Sequence, residues 1–320
     1  MSHEVESMFF MNQTPWHGLG TRVIEIPTID EAIAASGLNW TVGMKPLFTE
    51  QGEKVKHQAT FRESDGKILG VVGPGYKPLQ NMEAFKFFQP FLDQGAATLE
   101  TAGSLRGGQR VWVMAKIKSD PLVIVPQSND IVQSYILLSN SHDGTLAVRV
   151  GFTPVRVVCA NTMAMAHSSD ASKLIRIRHS GNVEEALAAV RDVMNVAKSE
   201  FEATAEQFRL LASKQVSRKD LERYVKMVFN VKKDLTVDEL DDKSSRVLAK
   251  ILPLFEKGRG NDLPGVKGTY WAAYNAVNEY LQYERGSEAA NRLDSMWFGT
   301  SAAVNKKALD TAVGMVLAAA

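Results

Sequence analysis

The chain has 320 residues, 45% of them hydrophobic and 23% charged, with a formal net charge of +1. That balance belongs to a globular protein with enough chain for two domains, and it excludes a wholly disordered polymer. No apolar run approaches the ~18 residues of a membrane-spanning helix, and the start, Met-Ser-His-Glu, lacks the basic and apolar regions of a secretory signal. The lone cysteine, Cys159, can form no internal disulfide, so a reducing, cytoplasmic setting is expected.

The character of the chain changes near residue 180, which predicts a β-rich domain over 1–180 and a helical region over 181–320. In the first part, Phe85, Phe88 and Leu92 step by three and four, so Gln80 to Gln94 reads as a helix ending at Gly95. Residues 97–103 and 109–118 then form a hairpin around Gly107-Gly108, whose positive φ suits the loop. The returning strand alternates. Val111, Val113, Ala115 and Ile117 point one way, and Arg110, Trp112, Met114, Lys116 and Lys118 the other. A second hairpin is expected from 131–139 and 145–150, turning at Asp143-Gly144, followed by a strand over 152–159. Lys173 to His179 alternates as well, with Ile175 and Ile177 opposed to Arg176 and Arg178.

In the second part, Asn182 stands three residues before Glu185 and opens a helix over 183–213, ~45 Å long at 1.5 Å per residue. Its apolar stripe, which includes Leu187, Phe201, Phe208 and Leu211, serves either packing on the protein's own sheet or self-association. Packing on the sheet is the plainer reading. Ser217 caps another helix, and 237–257 and 269–285 read as two more, joined by a basic loop at 258–268 that is expected to be mobile. The expected fold class is therefore α+β: an antiparallel sheet built from hairpins, backed by a long helix, followed by a helical C-terminal region.

The six histidines show no i,i+4 pair and there is no Cys-x-x-Cys, so neither metal nor cofactor is expected. The loop Gly260 to Lys267 fails as a phosphate-binding loop, because Val266 separates Gly265 from Lys267 and no strand feeds it. An enzyme would need Cys159 as nucleophile with His142 as base and Asp143 beside it. Cys159 follows Val157 and Val158 in an apolar strand, where a core residue is the plainer reading, and Asp143-Gly144 is explained by turn geometry. The basic residues form the stronger pattern. Between residues 100 and 180, nine Lys and Arg stand against five Asp and Glu. Arg110, Trp112 and Lys116 share a strand face, with Arg106 in the adjoining loop, and Arg176 and Arg178, with Arg149 and Arg156, extend the charge. Cations along phosphates and an aromatic ring beneath bases are what a single-stranded nucleic acid requires.

Several strings carry a resemblance. They are Pro15-Trp16-His17-Gly18-Leu19-Gly20, Tyr76-Lys77-Pro78-Leu79-Gln80-Asn81, Thr101 to Gly108, Ser141-His142-Asp143-Gly144, Arg156 to Thr162, and Asn275-Ala276-Val277-Asn278-Glu279-Tyr280. Together they resemble the phage/plasmid-like proteins of mobile elements, grouped as a domain of unknown function. That resemblance implies DNA metabolism without naming a chemistry. The order of elements also resembles, more distantly, the single-strand annealing proteins that include phage lambda Red beta, which implies a homo-oligomer larger than a dimer. The expectation is an ATP-independent protein that binds, with or without annealing, single-stranded DNA through Arg106, Arg110, Trp112, Lys116, Arg176 and Arg178. The alternatives are a cysteine-dependent hydrolase or transferase using Cys159 and His142, and a protein that binds a host factor.

Overall fold

A computed structural model describes residues 5–11, 20–156, 161–162, 174–180, 194–229, 237–286, 295–296 and 299–318. The chain divides into two compact units. One comprises Met1–Ser119, Tyr135–Phe152 and Asp170–Asn195; the other comprises Asp120–Ser134, Thr153–Ser169 and Val196–Ala320.

The first unit contains β1 (Val5–Phe10), β2 (Thr21–Arg22), β6 (Ala97–Leu105) and β7 (Arg110–Ile117), with most of β9 (Asp130–Ser141) and β10 (Val148–Arg156) and all of β12 (Leu174–Ile177). Across the sheet the order is β12-β10-β9-β7-β6-β1-β2, antiparallel except for β1 with β2. The β6–β7 hairpin turns where the glycines predicted it, with Gly107 at φ 63° and Gly108 at φ 90°. A separate meander of β3 (Val42–Phe48), β4 (Lys54–Arg62) and β5 (Ile68–Val72) was not foreseen as distinct strands. The two strands predicted at 145–150 and 152–159 are one strand, Val148–Arg156, in which Gly151 still pairs with Leu174 and Val155 and Arg156 pair with Thr162 and Asn161.

The helices packed on the apolar face of this sheet are α1 (Ile29–Ala35), α2 (Asn81–Lys86) and α3 (Gln89–Asp93). Thr28 and Glu31 close a capping box at the start of α1. The single helix predicted over 80–94 is interrupted between α2 and α3. Pro90 has no N–H to give the carbonyl four residues back and its ring crowds that turn, so the helix restarts with Pro90 in its first turn. Phe85 and Phe88 are fully buried on either side of the break, and each such ring contributes ~1.5–3 kcal/mol by leaving water.

The second unit is mainly helical: α4 (Met194–Ala212), α5 (Arg218–Phe229), α6 (Val237–Lys257), α7 (Tyr270–Glu279) and α8 (Thr300–Ala318). It also holds β8 (Leu122–Val125), paired with the start of β9, and β11 (Asn161–Thr162), paired with the end of β10. Residues 183–193 of the long predicted helix lie outside the described residues. In the described part, Phe201, Phe208 and Leu211 are buried, and the Phe208 ring lies 4.8 Å from Trp271. Those stripe residues are used inside the unit. Ser217 caps α5 as predicted, accepting from the Asp220 N–H. Every residue of α7 is buried, with α6 and α8 packed against it, and the helix widens to a π-turn over Tyr280–Glu284.

Arg156 is a correction to the expected basic face. It is 0% exposed and its guanidinium is consumed internally. Nε and Nη2 donate to the Asp130 carboxylate at 2.7–3.0 Å, Nη2 also to Gly260 O at 2.8 Å, and Nη1 to Asn261 Oδ1 at 3.2 Å. Trp271 Nε1 donates to the same carboxylate at 2.8 Å. The 258–268 loop, expected to be mobile, is pinned by this network. Asn261 is buried and donates to Leu254 O and Ala272 O.

Candidate nucleic-acid interface

The alternation of β7 sorts its side chains as the sequence predicts. Val111, Val113 and Ala115 enter the core, so Arg110, Trp112, Met114 and Lys116 lie on the opposite face. The same logic extends to neighbouring strands. Val148 and Val150 are core residues, which puts Arg149 on the outer face, and the inward Ile177 puts Arg176 there. Ile136 and Leu138 likewise leave Tyr135 and Ser139 outward. Register then fixes the neighbours. Arg110 is opposite Ser141, Trp112 opposite Ser139 and Lys116 opposite Tyr135, while Arg149 is directly opposite Arg176.

Arg106, Arg110, Lys116 and Arg149 are half-buried, and Arg176 and Arg178 are exposed. Arg110 Nη2 donates to Thr145 Oγ1 at 3.3 Å, and Thr145 in turn is held by Asp143. Arg106 adopts a left-handed backbone, φ 54°, at the hairpin tip. Burial, then the charges of Arg176 and Arg110, push the Arg149 pKa down. No carboxylate among the described residues pairs with Arg149 or Arg176.

Trp112 departs from the expectation. It occupies the predicted face but is 1% exposed. Its ring fills the space above Gly103, the residue opposite it on β6. A Cβ on Gly103 would come within 2.6 Å of the indole and 2.4 Å of Ser7 O. So buried, the indole presents no face to a base. The aromatic on this face that is only half-buried is Tyr135, a residue the strand pattern of 131–139 contained but the charge argument passed over.

His142 and Asp143 were expected in a hairpin loop, with His142 either a candidate base or a solvated loop residue. His142 is instead fully buried, edge-on to Trp40. Asn81 Nδ2 donates to the carbonyls of Leu38 and Trp40, which leaves its Oδ1 to accept from His142 Nε2 at 3.0 Å. The imidazole is therefore the neutral Nε2–H form, and Nδ1 has no partner among the described residues. Burial above all, and then His179, push its pKa down to about 3. Cys159, its supposed nucleophilic partner, lies outside the described residues, as do Trp16, His17 and Gly18. His179 anchors the end of β12. Its ring nitrogens lie 3.0 Å from Lys77 O and 3.2 Å from Leu146 O, and Tyr76 stacks on it at 4.5 Å.

The neutral burial of His142 sets a pH dependence. In the unfolded chain the ring titrates near 6.5. From there down to about 3, the unfolded state holds a proton that the native state refuses. Stability is therefore complete above pH ~6.5 and falls by about 1.4 kcal/mol per unit as pH drops through that window. His142→Gln should flatten the acid limb of a urea-denaturation series measured against pH. An unchanged limb would assign the acid sensitivity to other groups.

The profile of the family described as "Domain of unknown function (DUF932)" matches residues 68–297. The chain belongs to the DUF932 family. The matched span of this DUF932 protein includes β7, β9, β10 and β12 with their arginines, the Asp130–Arg156 pair and α7, whereas the Pro15 to Gly20 string falls before it. No curated protein and no solved structure matches the chain. No helix among the described residues is long and apolar enough to cross a membrane, and no group of three His, Cys, Asp or Glu among them could hold a metal ion.

Proposed function

We propose that this DUF932 protein binds single-stranded DNA, without ATP, through the outer face of the first unit's sheet. The observation that carries the reading is the row of Arg110, Arg149 and Arg176, in which two arginines face each other in register with no carboxylate among the described residues to offset them. Like charges directly opposite across a ladder are destabilising. A polyanion removes that repulsion and supplies the acceptors that guanidinium groups lack. Arg106 and Arg178 widen the field, whereas Lys116, directly opposite Tyr135, stands at the far end of β7. The strings shared with phage/plasmid-like proteins support a place in mobile-element DNA metabolism, where single-strand binding precedes annealing.

The test is fluorescence anisotropy of labelled single and double strands over a salt series. The expected result is preferential binding of the single strand, with log K falling linearly with log salt by about 0.7 for each phosphate neutralised. A wild-type protein that shows no salt-sensitive binding at low ionic strength would end this reading.

A further inference from the structure

We infer that the bound strand's phosphate backbone crosses the sheet from β12 to β7, over Arg176, Arg149 and Arg110, instead of following β7 from Arg110 to Lys116. This deepens the single-strand reading above and rests on it.

Topology and register carry the inference. Arg149 and Arg176 are direct partners on β10 and β12, and β7 lies two strands beyond β10 in the order β12-β10-β9-β7. At ~4.8 Å between neighbouring strands, the row from β12 to β7 covers about 14 Å perpendicular to the strands. Lys116 is six residues along β7 from Arg110, about 20 Å at the strand rise. Between them on that face lie the buried Trp112 and the uncharged Met114, so a backbone following β7 would meet no cation over that distance.

Arg149 sits at the centre of the row and has the strongest need of an anion. It is half-buried, and its buried Nε has no hydrogen-bond partner among the described residues. Arg176 faces it across the ladder, and Arg110 adds a further positive charge. Asp143, in the β9–β10 turn, is occupied by Thr145, and Glu6, on β1, by Arg62. A half-buried cation set against a like charge weakens the unliganded protein, whereas a phosphate diester lying across the row accepts from the guanidinium groups and offsets the facing charges of Arg149 and Arg176. Arg149 should therefore act with opposite sign on the two states. An arginine with a purely structural role would not.

The experiment uses the full chain, a long labelled oligothymidylate, and the variants Arg149→Gln, Arg176→Gln and Lys116→Gln. Each is measured for anisotropy across a salt series and for thermal unfolding without nucleic acid. Arg149→Gln is expected to weaken binding several-fold at low salt, flatten the salt slope by about 0.7, and raise the unfolding midpoint of the free protein. Arg176→Gln, at an exposed position, should flatten the slope by the same amount, and Lys116→Gln should leave it unchanged. Salt-sensitive binding that Lys116→Gln flattens and Arg149→Gln does not would overturn the crossing path alone. A lowered midpoint in Arg149→Gln with binding intact would overturn it as well, by making Arg149 structural. Absence of salt-sensitive binding by the wild type would overturn the functional reading, and this path with it.

Discussion

Asp130→Ala is expected to destabilise the second unit by about 3–5 kcal/mol, the cost of leaving one member of a buried ion pair without its partner. Asp130 and Arg156 are both fully buried, and no water can replace the lost carboxylate without opening the core. The substitution leaves the Arg156 Nε and one Nη2 direction without an acceptor and also removes the partner of Trp271 Nε1. Arg156 stacks over the Trp271 ring at 5.4 Å, so the loss reaches the start of the buried helix α7. Hydrogen exchange should report it as accelerated opening over residues 258–279, with the first unit's β6 and β7 little changed. Arg156→Lys should recover little, because one ammonium cannot serve the carboxylate, Gly260 O and Asn261 together. Protection over 258–279 that survives Asp130→Ala would show that the helices hold this loop without the ion pair.

Trp112→Ala should cost about 3–5 kcal/mol of stability in the first unit, the range for emptying a buried aromatic site. Gly103 offers no side chain to fill the void, and Ser7 O, which bars a Cβ there, prevents a compensating substitution at that position. The sequence reading, which places Trp112 beneath bases, implies a different phenotype, a loss of nucleic-acid affinity. Equilibrium urea unfolding together with anisotropy separates the two. The structure requires the unfolding midpoint to fall, with the affinity of the folded fraction retained. If stability holds while affinity drops tenfold, the indole is reaching a base after all.

How much could be read in advance depended on the range of the interaction involved. Strand faces were legible because alternate side chains point to opposite sides whatever the rest of the chain does, and β7 and β12 sorted their arginines that way. The turn at Gly107-Gly108 and the cap at Ser217 were legible because they are satisfied within a few residues. The break at Pro90 was local too, and was overridden by an apolar periodicity that α2 and α3 share across it. Asn81 as the partner of His142, 61 residues away, left no pattern in either segment.

By itself, then, the sequence determined the α+β class, the helical C-terminal region and the side of the sheet on which Arg110 and Arg176 stand, because periodicity and capping are short-range physics. Only the tertiary structure decided what covers each face. It buried Trp112 over Gly103, withdrew Arg156 to Asp130 and enclosed His142 as a neutral ring, while Arg149 and Arg176 were set against each other without a counter-charge among the described residues. Burial and pairing are properties of neighbours distant in the chain, and charge or aromaticity at one position does not report them.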